Sequence, residues 1–217
     1  SIYSNKEHRT INGVNIVSLN YTDTHSTFQL DFSLRINDSR RREVGDFTHA
    51  VHHKSNAHKR RIEGLDGKNS IALNMVNRAL NQGVEADYLL VDSWYAKPDF
   101  IAQAGELGMP VIARIANNVR IWNFKGNHKT LDALHTACQS QHRIHRGHYG
   151  KIHYTYFDAI VEHTKLGKVK LVFLRTHKER LVFISTHCSL SGMEIIDIYK
   201  KRWNIEQGYK DLREYFG

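Results

Sequence analysis

Tyr88-Leu89-Leu90-Val91-Asp92, followed by Pro98, Gly108 and Val111-Ile112-Ala113-Arg114-Ile115, is the stretch on which the fold turns. Tyr88 to Val91 is a short apolar strand that ends at Asp92. Pro98 is placed to open a helix and Gly108 to end one. Val111 to Ile115 is a second apolar run of strand length. Two buried strands joined by one helix require a right-handed crossover and a parallel sheet. That places Asp92 at the carboxyl end of a strand, where open α/β sheets hold their ligands.

Upstream, Val14 to Tyr21 is rich in strand formers and a polar turn follows from Thr22 to Ser26. Thr27 to Ile36 alternates, with Phe28, Leu30, Phe32, Leu34 and Ile36 on one face and Gln29, Asp31, Ser33 and Arg35 on the other. The alternation predicts an antiparallel hairpin with the apolar face half-buried and Asp31 solvated. A basic, irregular region runs from Asp38 to Lys68. A helix is expected over Ser70–Gln82, with Ala72, Met75, Val76, Ala79 and Leu80 as its apolar stripe and Gly83 as its C-cap.

Downstream of about Asn117 the period changes. Leu131 to Gln139 suits a short helix. Lys151–Val161, Lys168–Thr176 and Arg180–Thr186 suit strands in hairpin relation, and together they form a β-rich insertion. Ser191-Gly192-Met193-Glu194 has the form of a capping box opening a final helix.

That final helix contains Tyr199-Lys200-Lys201-Arg202-Trp203-Asn204-Ile205-Glu206, then Tyr209, Lys210, Leu212 and Arg213. Taken as one continuous helix, it brings Tyr199, Arg202, Glu206 and Arg213 within about 60° of one another. Ile198, Ile205, Tyr209 and Leu212 form a neighbouring apolar stripe. From spacing alone two readings stand: a solvated amphipathic helix with internal ion pairs, or an acid held among cations for metal-assisted chemistry on a phosphate backbone.

Composition favours a polyanion partner. Lysine and arginine number 31 against 22 acids, a formal charge of +9, with a pI near 9.5. The basic residues cluster at Arg40-Arg41-Arg42, over Lys54–Arg61 and over Lys200–Arg202, as a nucleic-acid binder requires. Two cysteines, Cys138 and Cys188, do not make a disulfide scaffold, so a cytoplasmic setting is expected. No apolar run is long enough to span a membrane. His142, His145 and His148, interleaved with arginines, suit a basic polar loop better than a zinc site. No Walker-type glycine loop is present.

The C-terminal run resembles the Tyr-x2-Arg-x3-Glu-x6-Lys signature of bacterial insertion-sequence transposases with a DDE catalytic core. Tyr199, Arg202 and Glu206 match it, and Arg213 stands where the signature has lysine. The Tyr88–Tyr95 segment resembles the strand of the family's second aspartate, and the β-rich stretch resembles its insertion domain. The resemblance implies an RNase H-like α/β fold: core over 1–116, insertion over 117–187, and the signature helix over 188–217. It implies Mg²⁺-dependent cleavage and strand transfer of double-stranded DNA, with Mn²⁺ as a substitute, in a homodimer associated with the nucleoid. Asp92 and Glu206 would be the catalytic metal ligands. Tyr199, Arg202 and Arg213 would hold DNA phosphates, with Lys200, Lys201 and Lys210 as further candidates. Trp94 and Trp203 could stack on a base or pack.

The family's third carboxylate lies on a strand preceding the hairpin, and residues 1–13 contain no aspartate. The expectation is a fragment that begins after the first catalytic strand and is inactive alone. The rival readings are a non-catalytic DNA-binding remnant and a metal-dependent nuclease with its own substrate.

Overall fold

The computed structural model describes residues 2–4, 8–11, 15–36, 52–116, 122–124 and 127–216. The Arg40-Arg41-Arg42 cluster lies outside the described residues. The chain forms two compact units, residues 1–84 and 85–217.

In the first unit, β1 (Ile2–Ser4) pairs antiparallel with β2 (Arg9–Ile11). The expected hairpin forms from β3 (Asn15–Thr22) and β4 (Thr27–Arg35). Its turn is fixed by Asp23, whose carboxylate accepts from the amides of His25 and Ser26, both at 2.6 Å. A helix the sequence pattern did not show, α1 (Asn56–Glu63), occupies part of the basic region read as irregular. Ala57 and Ile62 give it almost no apolar period. Its signal was the cap: Ser55 accepts from the His58 amide at 3.2 Å. It ends at Gly64, where a Cβ would lie 2.6 Å from the Leu34 carbonyl oxygen, so only glycine fits. Helix α2 (Lys68–Asn81) buries Met75 and Val76 of the expected stripe together with Ile71 and Leu73, which lay outside it, while Ala72, Ala79 and Leu80 are half-buried; Gly83 follows at φ +81.

The buried face of the hairpin is the reverse of the expected one. Ile71 and Met75 of α2 pack with Val17, against Leu19. Val17 pairs with Ser33, and Ser33 is 3% exposed. Phe28, Phe32 and Leu34 are instead 51%, 53% and 50% exposed. Asp31, expected to be solvated, has only 12% of its side chain exposed and is held by two arginines. Arg60 reaches Asp31 Oδ1 at 2.6 Å and Glu63 at 2.9 Å; Arg78 reaches Asp31 Oδ2 at 2.8 Å and Glu63 at 2.6 Å. The four groups satisfy one another, which lets the polar face of β4 turn inward.

In the second unit, β5 (Leu89–Val91), α3 (Pro98–Glu106) and β6 (Val111–Ile115) form the expected parallel unit, with Leu89 opposite Val111 and Val91 opposite Ala113. Gly108 adopts φ +79 after α3. β7 (Trp122–Phe124) and β8 (Asn127–Lys129) pair with each other. α4 (Leu131–Gln139) follows, capped by Thr130. Then come β9 (His145–Tyr149), β10 (Ile152–His163), β11 (Gly167–Arg175) and β12 (Arg180–Ser185). They do not form a separate sheet. β12 pairs antiparallel with β6, giving one six-stranded mixed sheet in the order β5-β6-β12-β11-β10-β9. The boundaries expected at 116/117 and 187/188 therefore do not coincide with the division observed at 84/85.

Six consecutive residues of β11, Val169 to Leu174, are buried, because both faces of the sheet are covered. On one face, α5 (Gly192–Lys200) sets Ile195, Ile196 and Tyr199 against Ile112, Tyr156, Val172 and Phe183. Val172 and Phe173 point to opposite faces, and His135 of α4 meets the Phe157 and Phe173 rings at 5.2 and 5.4 Å, so α4 covers the other face. The mixed α/β architecture is that of an RNase H-like domain.

Candidate active site

The capping box forms as expected: Ser191 Oγ accepts from the Glu194 amide at 3.2 Å, and Glu194 accepts from the Ser191 amide at 2.7 Å. The Ser191 hydroxyl also donates to the Glu194 carboxylate at 2.7 Å, and that bond first, then the one from the Ser191 amide, holds the exposed Glu194 carboxyl below its ordinary value. Lys170, on the sheet beneath, donates to the Leu190 carbonyl at 2.5 Å, one residue before the cap. The start of α5 is thus fixed to β11.

The end of α5 differs from the sequence expectation. The final helix is two helices, α5 and α6 (Trp203–Phe216), joined through Lys201 and Arg202. The junction is bonded i→i−3: Arg202 N to Tyr199 O at 3.0 Å, and Asn204 N to Lys201 O at 3.1 Å. Such bonds wind the chain at about 3.0 residues per turn, so α6 does not continue the register of α5. The tightened turn leaves Tyr199 in the sheet core and Arg202 at its edge, with only 16% of its side chain exposed.

Tyr199 is 6% exposed, its ring 4.8 Å from Phe183. Burial raises its phenol pKa, and the charge of Asp92 acts in the same direction while Arg202 and Arg114 oppose it. The Arg202 guanidinium lies over Tyr199 at 5.6 Å and over Trp203 at 5.4 Å. It donates to Glu206 Oε1 at 2.8 Å. Burial is the largest single effect and would lower the Arg202 pKa, but the Glu206 hydrogen bond together with the charges of Tyr199, Glu206 and Asp92 raises it overall. Arg202 therefore pairs with Glu206, on α6, and lies close enough to Asp92, at the end of β5, for that charge to act on it.

Asp92 is exposed and shaped by its own turn. Its Oδ1 accepts from the Trp94 amide at 2.9 Å, and its carbonyl accepts from the Tyr95 amide at 3.2 Å. Tyr95 is pushed up to about 12 by burial, then by the charge of Asp92 and by Tyr209. In the sequence Tyr95 and Tyr209 are visible only as the end of the Tyr88–Tyr95 segment and as part of an apolar stripe, and Arg114 only as a cation inside an apolar strand.

The other expected residues are distributed as follows. Trp94 and Trp203 are 56% and 61% exposed, so neither packs inward; Lys97 lies over the Trp94 ring at 5.2 Å. Lys200 binds Asp197 at 2.6 Å and lies over Tyr149 at 5.1 Å. Lys201 sits in the junction, half-buried, and Lys210 is exposed on α6. Arg213 lies on α6, and its side chain is outside the described residues. The histidine series is not a loop: His145 and His148 lie on β9, three residues apart and hence on opposite faces, so they cannot converge on one ion. Among the described residues no group of three or more His, Cys, Asp or Glu side chains could hold a metal.

Asp92 thus ends a parallel strand of the sheet, and Glu206 is paired with Arg202 at the start of α6. Residues 2–153 match the family described as DDE superfamily endonuclease, and the chain belongs to that family. DNA is the substrate the family implies, and its members generally use divalent metal ions. The match ends before α5, so Glu206 rests on the signature and the geometry. No match was found among curated proteins. No helix among the described residues is long and apolar enough to cross a membrane.

Proposed function

We propose that the chain is the catalytic part of a DNA transposase, in which Asp92 and Glu206 hold a divalent ion against a DNA phosphodiester. The observation that supports this reading is that Glu206 is held by Arg202 at the start of α6, within electrostatic reach of Asp92 at the carboxyl end of a parallel strand. Hard oxygen donors suit Mg²⁺ or Mn²⁺, and two carboxylates satisfy part of the shell such ions require. When bound, the ion supplies charge stabilisation at the attacked phosphate. Arg202, with Lys201 and, on α6, Lys210 and Arg213, neutralises neighbouring phosphates, while exposed Trp94 and Trp203 offer ring faces to bases. Tyr199 acts from the core by holding Arg202.

The test pairs a Mn²⁺ titration with a nicking assay on duplex DNA. Saturable Mn²⁺ binding that Asp92→Asn and Glu206→Gln each weaken tenfold or more supports the site. Mn²⁺ binding indifferent to both substitutions, or metal-dependent nicking that survives Glu206→Gln, overturns it. The absence of a third acid near the pair among the described residues favours a second reading, a DNA-binding part without chemistry of its own. Salt-sensitive DNA binding without saturable Mn²⁺ binding supports that alternative.

A further inference from the structure

On the sheet face covered by α4, one register row crosses four strands. Arg146 of β9 lies opposite Thr155 of β10, Thr155 opposite Arg175 of β11, and Arg175 opposite Arg180 of β12. Residues directly opposite share a face, so three arginines and a threonine stand in line. Neighbouring strands are about 4.8 Å apart, so the row spans roughly 14 Å. All three arginines are exposed. Like charges directly opposite destabilise a sheet, yet Arg175 and Arg180 are such a pair. Asp132 meets Arg180 at 3.3 Å, and Glu179 in the adjoining turn lies 3.9 Å from Arg114.

A second observation concerns the space beside this row. Thr155, Arg175 and Arg180 line one concavity with His135, Asp132 and Gln139 of α4, and Phe157 and Phe173 also line it. Burial first, and then Arg180 and Arg175, hold the His135 pKa below its ordinary value, while Asp132 opposes them. The row also lies at the end of the sheet where Asp92 emerges. Val91 is level with Ala113 and Ala113 with Ile184, and β12 runs back from there past Val182, opposite Ile115, to Arg180.

We propose that the Arg146–Thr155–Arg175–Arg180 row is a track for the phosphodiester backbone of DNA, separate from the basic residues of α5 and α6. It rests on the reading of the chain as a DNA-acting enzyme and adds a second binding surface to it. An extended row of planar donors suits consecutive phosphates, at a rise of about 3.4 Å per nucleotide, better than a single small anion.

The test is fluorescence anisotropy of a labelled DNA duplex, titrated with the chain across a range of KCl concentrations. Removing one cation that neutralises a phosphate flattens the plot of log affinity against log salt by about 0.9. The double variant Arg146→Gln/Arg175→Gln is expected to flatten it by about two. Lys168→Ala, which removes one charge at the opposite end of β11, serves as the control and should leave the slope at the parent's value. Inorganic phosphate at equal ionic strength should not displace the duplex; displacement would make the row a free-phosphate site and overturn the track. A double-variant slope equal to the parent's also overturns it, while Glu206-dependent Mn²⁺ binding would leave the proposed active site standing. A parent chain that neither binds duplex nor takes up Mn²⁺ overturns both.

Discussion

Arg202 donates to Glu206 at 2.8 Å across the start of α6, from a side chain that is 16% exposed to one that is 50% exposed. The cation is fixed by the core and the carboxylate faces outward. A metal ion and Arg202 therefore compete for the same acid.

Removing that competitor should be measurable. Arg202→Ala is expected to raise the affinity of the chain for Mn²⁺ roughly fivefold, about 1 kcal/mol for a unit charge near the pair. DNA affinity should fall at the same time. Calorimetric Mn²⁺ titration checks the first effect. A weaker Mn²⁺ site in this variant would show that Arg202 organises Glu206 for the ion instead of withholding it.

Tyr199 should act through packing. Tyr199→Ala opens a hole between α5 and Phe183 and is expected to cost about 3–5 kcal/mol. Tyr199→Phe keeps the ring and should cost less than about 1.5 kcal/mol. Denaturant unfolding followed by tryptophan fluorescence reports on this unit, because Trp94, Trp122 and Trp203 all lie within residues 85–217. Equal losses in the two variants would assign the stabilisation to the phenol oxygen.

The first unit should weaken in acid. Burial works against the Asp31 carboxylate, but hydrogen bonds from Arg60 and Arg78 hold its pKa below the ordinary 3.8. A depressed acid contributes stability above its unfolded pKa, and that contribution is lost as pH falls below about 3.8 towards the folded value. Asp31→Asn should cost about 2 kcal/mol at neutral pH, discounted for the partly exposed arginines. Hydrogen exchange in peptides from β4 and α2 is the measurement. Protection that is unchanged by the substitution would mean that Glu63 alone suffices for both arginines.

The second unit has its own window, nearer neutrality. His163 is 3% exposed, and its Nδ1 accepts from the amides of Lys165 at 3.0 Å and Leu166 at 3.3 Å. Burial holds its pKa below the ordinary 6.5. The fold therefore binds fewer protons than the unfolded chain, and stability falls as pH drops from 6.5 towards the folded value. His163→Asn keeps an acceptor and removes the titration. It should flatten the pH 7 to 5 stability profile in part, with the remainder due to His135, whose pKa is also lowered. A profile identical to the parent's would exclude His163 as a contributor.

Much of the chain was legible because its signals are local. Val111–Ile115 and Leu131–Gln139 have the bounds their apolar runs and caps predict. Gly83 and Gly108 end their helices in the left-handed region, as glycine there allows. Asp92 at the end of β5 followed from the strand-helix-strand spacing alone. Helix α1 was missed because its stability comes from Ser55 and from Arg60 reaching another element, not from an apolar stripe.

The sequence by itself determined the elements that carry a clear apolar period, and the acidic candidates, since period, capping and turn residues act over a few positions. The tertiary structure decided which face of β4 is buried, because Asp31 could turn inward only once Arg60 and Arg78 were beside it. It decided that β12 joins β6 through long-range pairing that no local pattern encodes. It also decided that the signature residues lie on two helices. The core holds Tyr199 while a tightened turn carries Arg202 towards Glu206, and a helical wheel drawn through all of them could not show that break.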